Sequence, residues 1–267
     1  TTGNNLVAVG SGALDANTTA ANNVGIGANA LGANTTGANN TSVGTNSLDA
    51  NTTGASNTAL GYRALSASST SSMNTAVGTD ALLVNTDEEN TAVGFGVMVD
   101  NTSGGYNTAV GSETLANNTT ADYNTAIGRN AMYANTTGTQ NVAVGSAALD
   151  ANTTASNNVA VGHGALTANT TGDQNVAVGS TALSANTTGR NNISIGMGSL
   201  VANTTGDANT AIGAAALDAN TTGDNNLALG YGALSGNTTA DGNTAVGHLA
   251  MVANTTGTNN TAVGATA

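Results

Sequence analysis

Asp207, Asp224 and Asp241 follow one another at 17-residue steps, and Asp122 and Asp173 hold the same place in the repeat. Carboxylates stacked at strand spacing repel one another unless a cation or water screens them. This predicts an acidic edge whose one metal chemistry is weak Ca²⁺ binding at Asp207, Asp224 and Asp241; no other cofactor is expected. The Gly-Gly-x-Gly-x-Asp signature of calcium-loaded β-rolls is missing, and a solvated edge is the competing reading. A second chemistry comes from Asn-Thr-Thr and Asn-Thr-Ser triplets, which fit the glycosylation acceptor pattern. In the corners they begin at Asn17, Asn34, Asn51, Asn101, Asn118, Asn135, Asn152, Asn169, Asn186, Asn203, Asn220, Asn237 and Asn254. Corner geometry explains the same triplets without sugar. His163 and His248 lie five repeats apart, too far to share a metal or a reaction. The Ser and Thr residues are repeat positions and pair with no base, so no enzymatic activity is expected.

What positions all of these residues is the repeat itself. An Asn, a β-branched or aliphatic residue, a small residue, an aliphatic and a Gly return sixteen times, among them at Gly10, Gly27, Gly44, Gly145 and Gly162. Every step between these glycines is 17 residues except the 16 from Gly78 to Gly94. A period this short predicts one coil of a solenoid per repeat, each coil burying its apolar face on its neighbours. The fold expected is an all-β, single-domain parallel β-solenoid over 1–267, about sixteen coils making a rod roughly 75 Å long at ~4.8 Å per coil. Both ends fall in mid-repeat, as in a piece of a longer repetitive protein.

Two extended runs are expected per coil. The first, Asn-Thr-Ala-Val in many copies, has no clearly polar face, which predicts cover on both sides and hence a partner subunit. The second carries Leu or Met four places after each Gly, then a variable residue, then Ala, and reads as a strand with one buried and one solvated face. Two Asn columns follow from stacking. One opens the first run (Asn23, Asn40, Asn57), and the other opens the corner (Asn17, Asn34, Asn51, Asn135, Asn152, Asn169), with Ser68 the one substitution. Amides stacked in this way can hydrogen-bond along the column, and Asn tolerates left-handed corners. The repeat Gly calls for positive φ or close backbone approach. The short step loses its residue within 85–90, in a turn.

Composition agrees with a thin interior. There is no Trp, Cys or Pro, aromatics are 2%, and Phe95 is the only Phe. The net charge is −12 with Arg63, Arg129 and Arg190 the only Arg or Lys residues, which excludes a phosphate-binding surface and with it nucleic acid. No apolar run approaches the ~20 residues that span a bilayer, so no membrane insertion is expected in this segment.

The phrase Asn-Thr-Ala-Val-Gly followed by Ala-Leu, as at Asn74–Gly78, Asn107–Gly111 and Asn243–Gly247, resembles the head repeats of trimeric autotransporter adhesins, which also occur in phage tail fibres and bacterial surface fibres. The resemblance covers essentially the whole chain. It implies a left-handed β-roll with two strands per coil, three chains side by side, and an extracellular, cell-surface or virion-fibre location. The Asn-Thr-Thr-Gly corner makes this coil longer than the usual adhesin unit, and no neck, stalk or anchor accompanies it.

The function expected is a non-enzymatic structural or adhesive fibre segment giving reach and display. Its partners would be copies of itself, as a trimer or a filament, and a host surface, matrix or glycan. An ice-binding solenoid is the first alternative, with Thr hydroxyls as the array. A self-stacking extracellular filament subunit, with or without glycans, is the second.

Overall fold

A computed structural model describes residues 2–267. Their contacts form two compact units, Thr1–Thr137 and Gly138–Ala267, and the division falls in an Asn-Thr-Thr-Gly corner. The first unit carries strands β1 (Val7–Val9) to β8 (Thr125–Ile127), and the second β9 (Val142–Val144) to β16 (Thr261–Val263), one per repeat. Within each unit consecutive strands pair in parallel at the same register, as in Val7↔Val24 and Val159↔Val176. Each unit is therefore a β-solenoid. The short step leaves this register intact: β5 (Thr75–Val77) still pairs Thr75 with Thr91 of β6 (Thr91–Val93). The missing residue comes out of the turn, where Asp87 O accepts Nδ2 of both Asn74 and Asn85.

Each strand is only three residues long, with its middle Ala or Ser buried in nearly every coil and its two flanking residues turned outward. The Gly that follows fails to be replaceable for two reasons at once. Its φ lies between 131° and 140° in all sixteen copies. A Cβ on Gly10 would also stand 2.5 Å from the carbonyl oxygen of Gly27 in the next coil. Both causes expected of this residue are present.

The second run is not a strand. The residue two places after the Gly and the Leu or Met four places after it both have positive φ, 47° to 55° for the latter in every coil. This left-handed conformation costs a non-Gly residue about 1–2 kcal/mol, and full burial of the Leu offsets it by roughly 1.5–3 kcal/mol. Alternate left-handed residues bend the run and defeat the period-2 rule. Consecutive residues Ala30 and Leu31, or Ala148 and Leu149, are both fully buried, while the Ala expected inside two places later is half-buried, as at Ala33 and Ala151, or exposed, as at Ala16. The run still pairs coil to coil through main-chain bonds such as Leu14 N–H to Ala30 O (3.1 Å) and Ala16 N–H to Gly32 O (3.0 Å).

The core of a coil is two small residues, one Leu or Met, and two Asn amides. Both Asn columns are buried in each unit. In the corner column Asn34 Nδ2 donates to Asn17 Oδ1 (3.2 Å) and to Gly37 O (3.0 Å). In the strand column Asn40 Nδ2 donates to Gly54 O (2.9 Å), and Asn23 Oδ1 accepts the Asn40 main-chain N–H (2.8 Å). Thus the expected ladders exist, but these Asn residues are not the left-handed ones. Positive φ belongs instead to residues such as Asn22, Asn39 and Asn29.

Candidate interaction face

Strand geometry turns alternate residues to opposite sides. With the small middle residue inside, the residues one and three places before each Gly form two outward columns in each unit. Neighbouring strands hold each column at ~4.8 Å steps, with the columns roughly 7 Å apart. The column just before the Gly is Val, Ile or Leu in all sixteen coils. Water reaches it in every coil: Leu60 is 47% accessible and Leu229 41%, and members such as Val144, Val161 and Val178 are half-buried. The other column holds nine Thr residues, among them Thr41 and Thr58, with Val, Ile or Leu elsewhere. The two columns carry no charged residue, and one of them is purely aliphatic.

The carboxylates of the acidic edge have a structural task. Asp207 Oδ1 accepts the Arg190 main-chain N–H (2.6 Å), Asp224 Oδ1 that of Asp207 (2.7 Å), and Asp241 Oδ1 that of Asp224 (2.8 Å). Asp122 and Asp173 do the same for Gly105 and Ser156, and Ser72 and Ser156 supply a hydroxyl instead. Each oxygen satisfies an N–H of the preceding coil that the turn leaves without a main-chain partner. Among the described residues no group of three His, Asp or Glu side chains, Asp207, Asp224 and Asp241 included, is arranged to hold a metal ion. The column spaces its carboxylates along the stack and turns one oxygen of each toward the backbone.

The thirteen triplet asparagines are buried, apart from partly buried Asn254. Their Nδ2 atoms are occupied, as in Asn186 to Asn169 Oδ1 and to Gly189 O, both at 2.9 Å. A sugar on Nδ2 is incompatible with those bonds in the folded coil. The first Thr of the corner is also engaged, since Thr35 Oγ1 donates to Thr52 O (2.9 Å) and Thr187 Oγ1 to Thr204 O (3.0 Å). His248 stacks its ring on Tyr231 at 5.5 Å, and His163 sits exposed after its Gly.

Four other aspartates, Asp15, Asp49, Asp150 and Asp218, lie five places after the Gly. Burial pushes the carboxyls of Asp49, Asp150 and Asp218 above the ordinary aspartate range, and Oδ1 of both Asp49 and Asp150 lacks a hydrogen bond. No period marks this column, because its other members are Gly, Ser, Thr, Ala, Val, Leu or Tyr. The sequence reading also passed over a hollow of about 310 Å³ lined by Phe95, Asp100, Glu113 and Tyr133. No family model matches the sequence, and no curated protein matches it.

Proposed function

We propose that this chain is a segment of an extracellular structural fibre, non-enzymatic, in which copies associate side by side through the outward faces of their strands. One observation carries the reading. The sixteen coils are internal replicates of one structural environment, and the column before the Gly is aliphatic in all of them although water reaches it. Strand propensity does not demand this, because Thr is as good a strand former and fills the neighbouring outward column nine times. Other exposed positions vary freely: the residue after the Gly is Ser, Ala, Thr, Tyr, Phe, Arg, His or Met. An exposed position that excludes polar residues is one that a partner covers. Three copies is the number that the resemblance to trimeric adhesin heads and phage fibres implies, and the same resemblance supports a cell-surface or virion-fibre location and a role in reach, attachment or display.

Light scattering tests this. A trimer has three times the 25.5 kDa mass of one chain. Replacing Val144, Val161 and Val178 with Thr should release monomers while keeping the fold, since Thr occupies equivalent outward sites. A monodisperse monomer of the native chain refutes side-by-side association, and very large polydisperse particles indicate end-to-end growth.

Ice binding remains a second reading because the same face carries nine Thr side chains at regular strand spacing. The corner supplies less, since its first Thr hydroxyl is bonded to the backbone in many coils. A monomer with thermal hysteresis would select it.

A further inference from the structure

The hollow between Phe95 and Tyr133 points to a ligand through an internal precedent. Two coils earlier, the residues one and two places after the Gly are Tyr62 and Arg63, and the next coil places Asp80 beside them. The Arg63 guanidinium carbon sits 5.8 Å from the centre of the Tyr62 ring, and its Nε lies 3.5 Å from Asp80 Oδ1. An aromatic ring and a carboxylate one coil on thus hold a guanidinium on this edge. In the coil of Gly94 the same three places are Phe95, Gly96 and, one coil on, Glu113. The ring and the carboxylate are kept and the Arg is replaced by Gly. A Cβ on Gly96 would meet nothing nearer than Glu113 Cγ at 4.0 Å, so the guanidinium position is open.

The surroundings enlarge that opening into a site. The hollow of about 310 Å³ is completed by Asp100 and Tyr133, with Asp80 at its other end, and small Ala116 in its lining leaves room. Phe95 and Tyr133 are well exposed, at 57% and 38%. Residues 80–128 carry seven of the fifteen acids and no Lys, Arg or His. Nothing inside the segment neutralises them.

We propose that this hollow binds an arginine side chain presented by a basic segment of a partner protein. The guanidinium takes the place that Arg63 takes two coils earlier, between the Phe95 ring and the Glu113 carboxylate, with Asp100 and Tyr133 completing the enclosure. This goes beyond the fibre reading and stands or falls separately, because the edge that bears the hollow is not the outward strand face.

The test uses the whole chain and fluorescein-labelled hexaarginine, read by anisotropy at low and high salt. The native protein binds, and added salt weakens the complex. Gly96→Arg blocks binding by filling the place from within; its fold is secure because Gly96 has a φ of 58° and Arg63 is accommodated at 55°. The uncharged change Phe95→Ser with Tyr133→Ser weakens binding on the order of tenfold, the loss of two ring contacts. Equivalent places in other coils already hold Ser112 and Ser184, so the coil tolerates it. Charge removal elsewhere, by Asp207→Asn, Asp224→Asn and Asp241→Asn together, leaves binding within about twofold, since none of these residues lines the hollow. Absence of binding to the native chain overturns the proposal. So does full affinity in Gly96→Arg or in the double Ser variant, or an equal loss in the triple Asn variant.

Discussion

Replacing Asn186 with Ala tests whether the buried amide columns hold the coils together. The Asn186 side chain donates to Asn169 Oδ1 and to Gly189 O, both at 2.9 Å, and accepts from Asn203 Nδ2 at 3.0 Å. After truncation Gly189 O keeps its bond from Asn175 Nδ2, and Asn203 Nδ2 keeps Gly206 O. Asn169 Oδ1 is the group left buried with no partner, at a cost of about 1–3 kcal/mol, and each hydrogen bond lost elsewhere adds roughly 0.5–1.5 kcal/mol. The expected destabilisation is about 3 kcal/mol, which at roughly 2–4 °C per kcal/mol for a chain of this size lowers the melting temperature by about 6–12 °C. Thermal unfolding followed by circular dichroism reads it, at fixed protein concentration because association would shift the midpoint. The surface control Thr188→Ala should move the midpoint by about 1 °C or less. A shift for Asn186→Ala no larger than that of the control refutes the claim that these amides are bonded and dry.

The remaining expectations use the same melts. Ser68 breaks the corner column and leaves Asn51 Oδ1 buried without a partner, while its hydroxyl pairs with that of Ser71. Restoring the usual pair with Ser68→Asn and Ser71→Gly should stabilise by about 1–2 kcal/mol; an unchanged midpoint would show that the orphaned oxygen costs nothing. Gly162→Ala should destabilise by more than about 2 kcal/mol, because φ is 136° and the new Cβ would lie 2.5 Å from Gly179 O. Normal folding of that variant would show that the coil can relax. Asp150→Asn should stabilise at pH 7 and lose that advantage below pH 3.8. The raised carboxyl favours the folded state when protonated, so its contribution is present at low pH and lost as pH rises through the shifted value. An advantage that grows on acidification would reverse the sign of this argument.

Much of this architecture was legible because solenoid stacking turns sequence period directly into structure. Spacing located sixteen strands, the intact register across the 16-residue step and the two Asn columns, since each depends only on identical residues lying over one another. The outward aliphatic column was legible for the same reason, as a run with no polar face. The second run was misread on physical grounds. A Leu, a variable residue and an Ala in succession look like strand alternation, but pattern rules assume that a bulky residue avoids positive φ. Here every Leu or Met of the run adopts it. Nothing within one copy signals that departure. In that conformation the Leu still buries its side chain.

The acidic edge and the Phe95 hollow show a second limit. Asp207, Asp224 and Asp241 were noticed because they repeat, and repetition made them scaffold: each carboxylate serves a backbone N–H that every coil presents. Phe95 and Glu113 occur once in their columns, and Gly96 has the commonest residue of its own, so no period marks the three together. In a repeat protein the positions that recur answer demands common to every coil, such as buried amides, turn glycines and dry contacts. A site for a particular ligand needs only one coil, so it arises where neighbouring columns depart together from their usual residues. The Phe95 ring and the Glu113 carboxylate of the next coil are two such departures, and they meet beside a Gly that leaves open the place Arg63 fills two coils earlier. Their meeting can be read only after the register has aligned Gly96 with Arg63, which is why the fold had to precede the site.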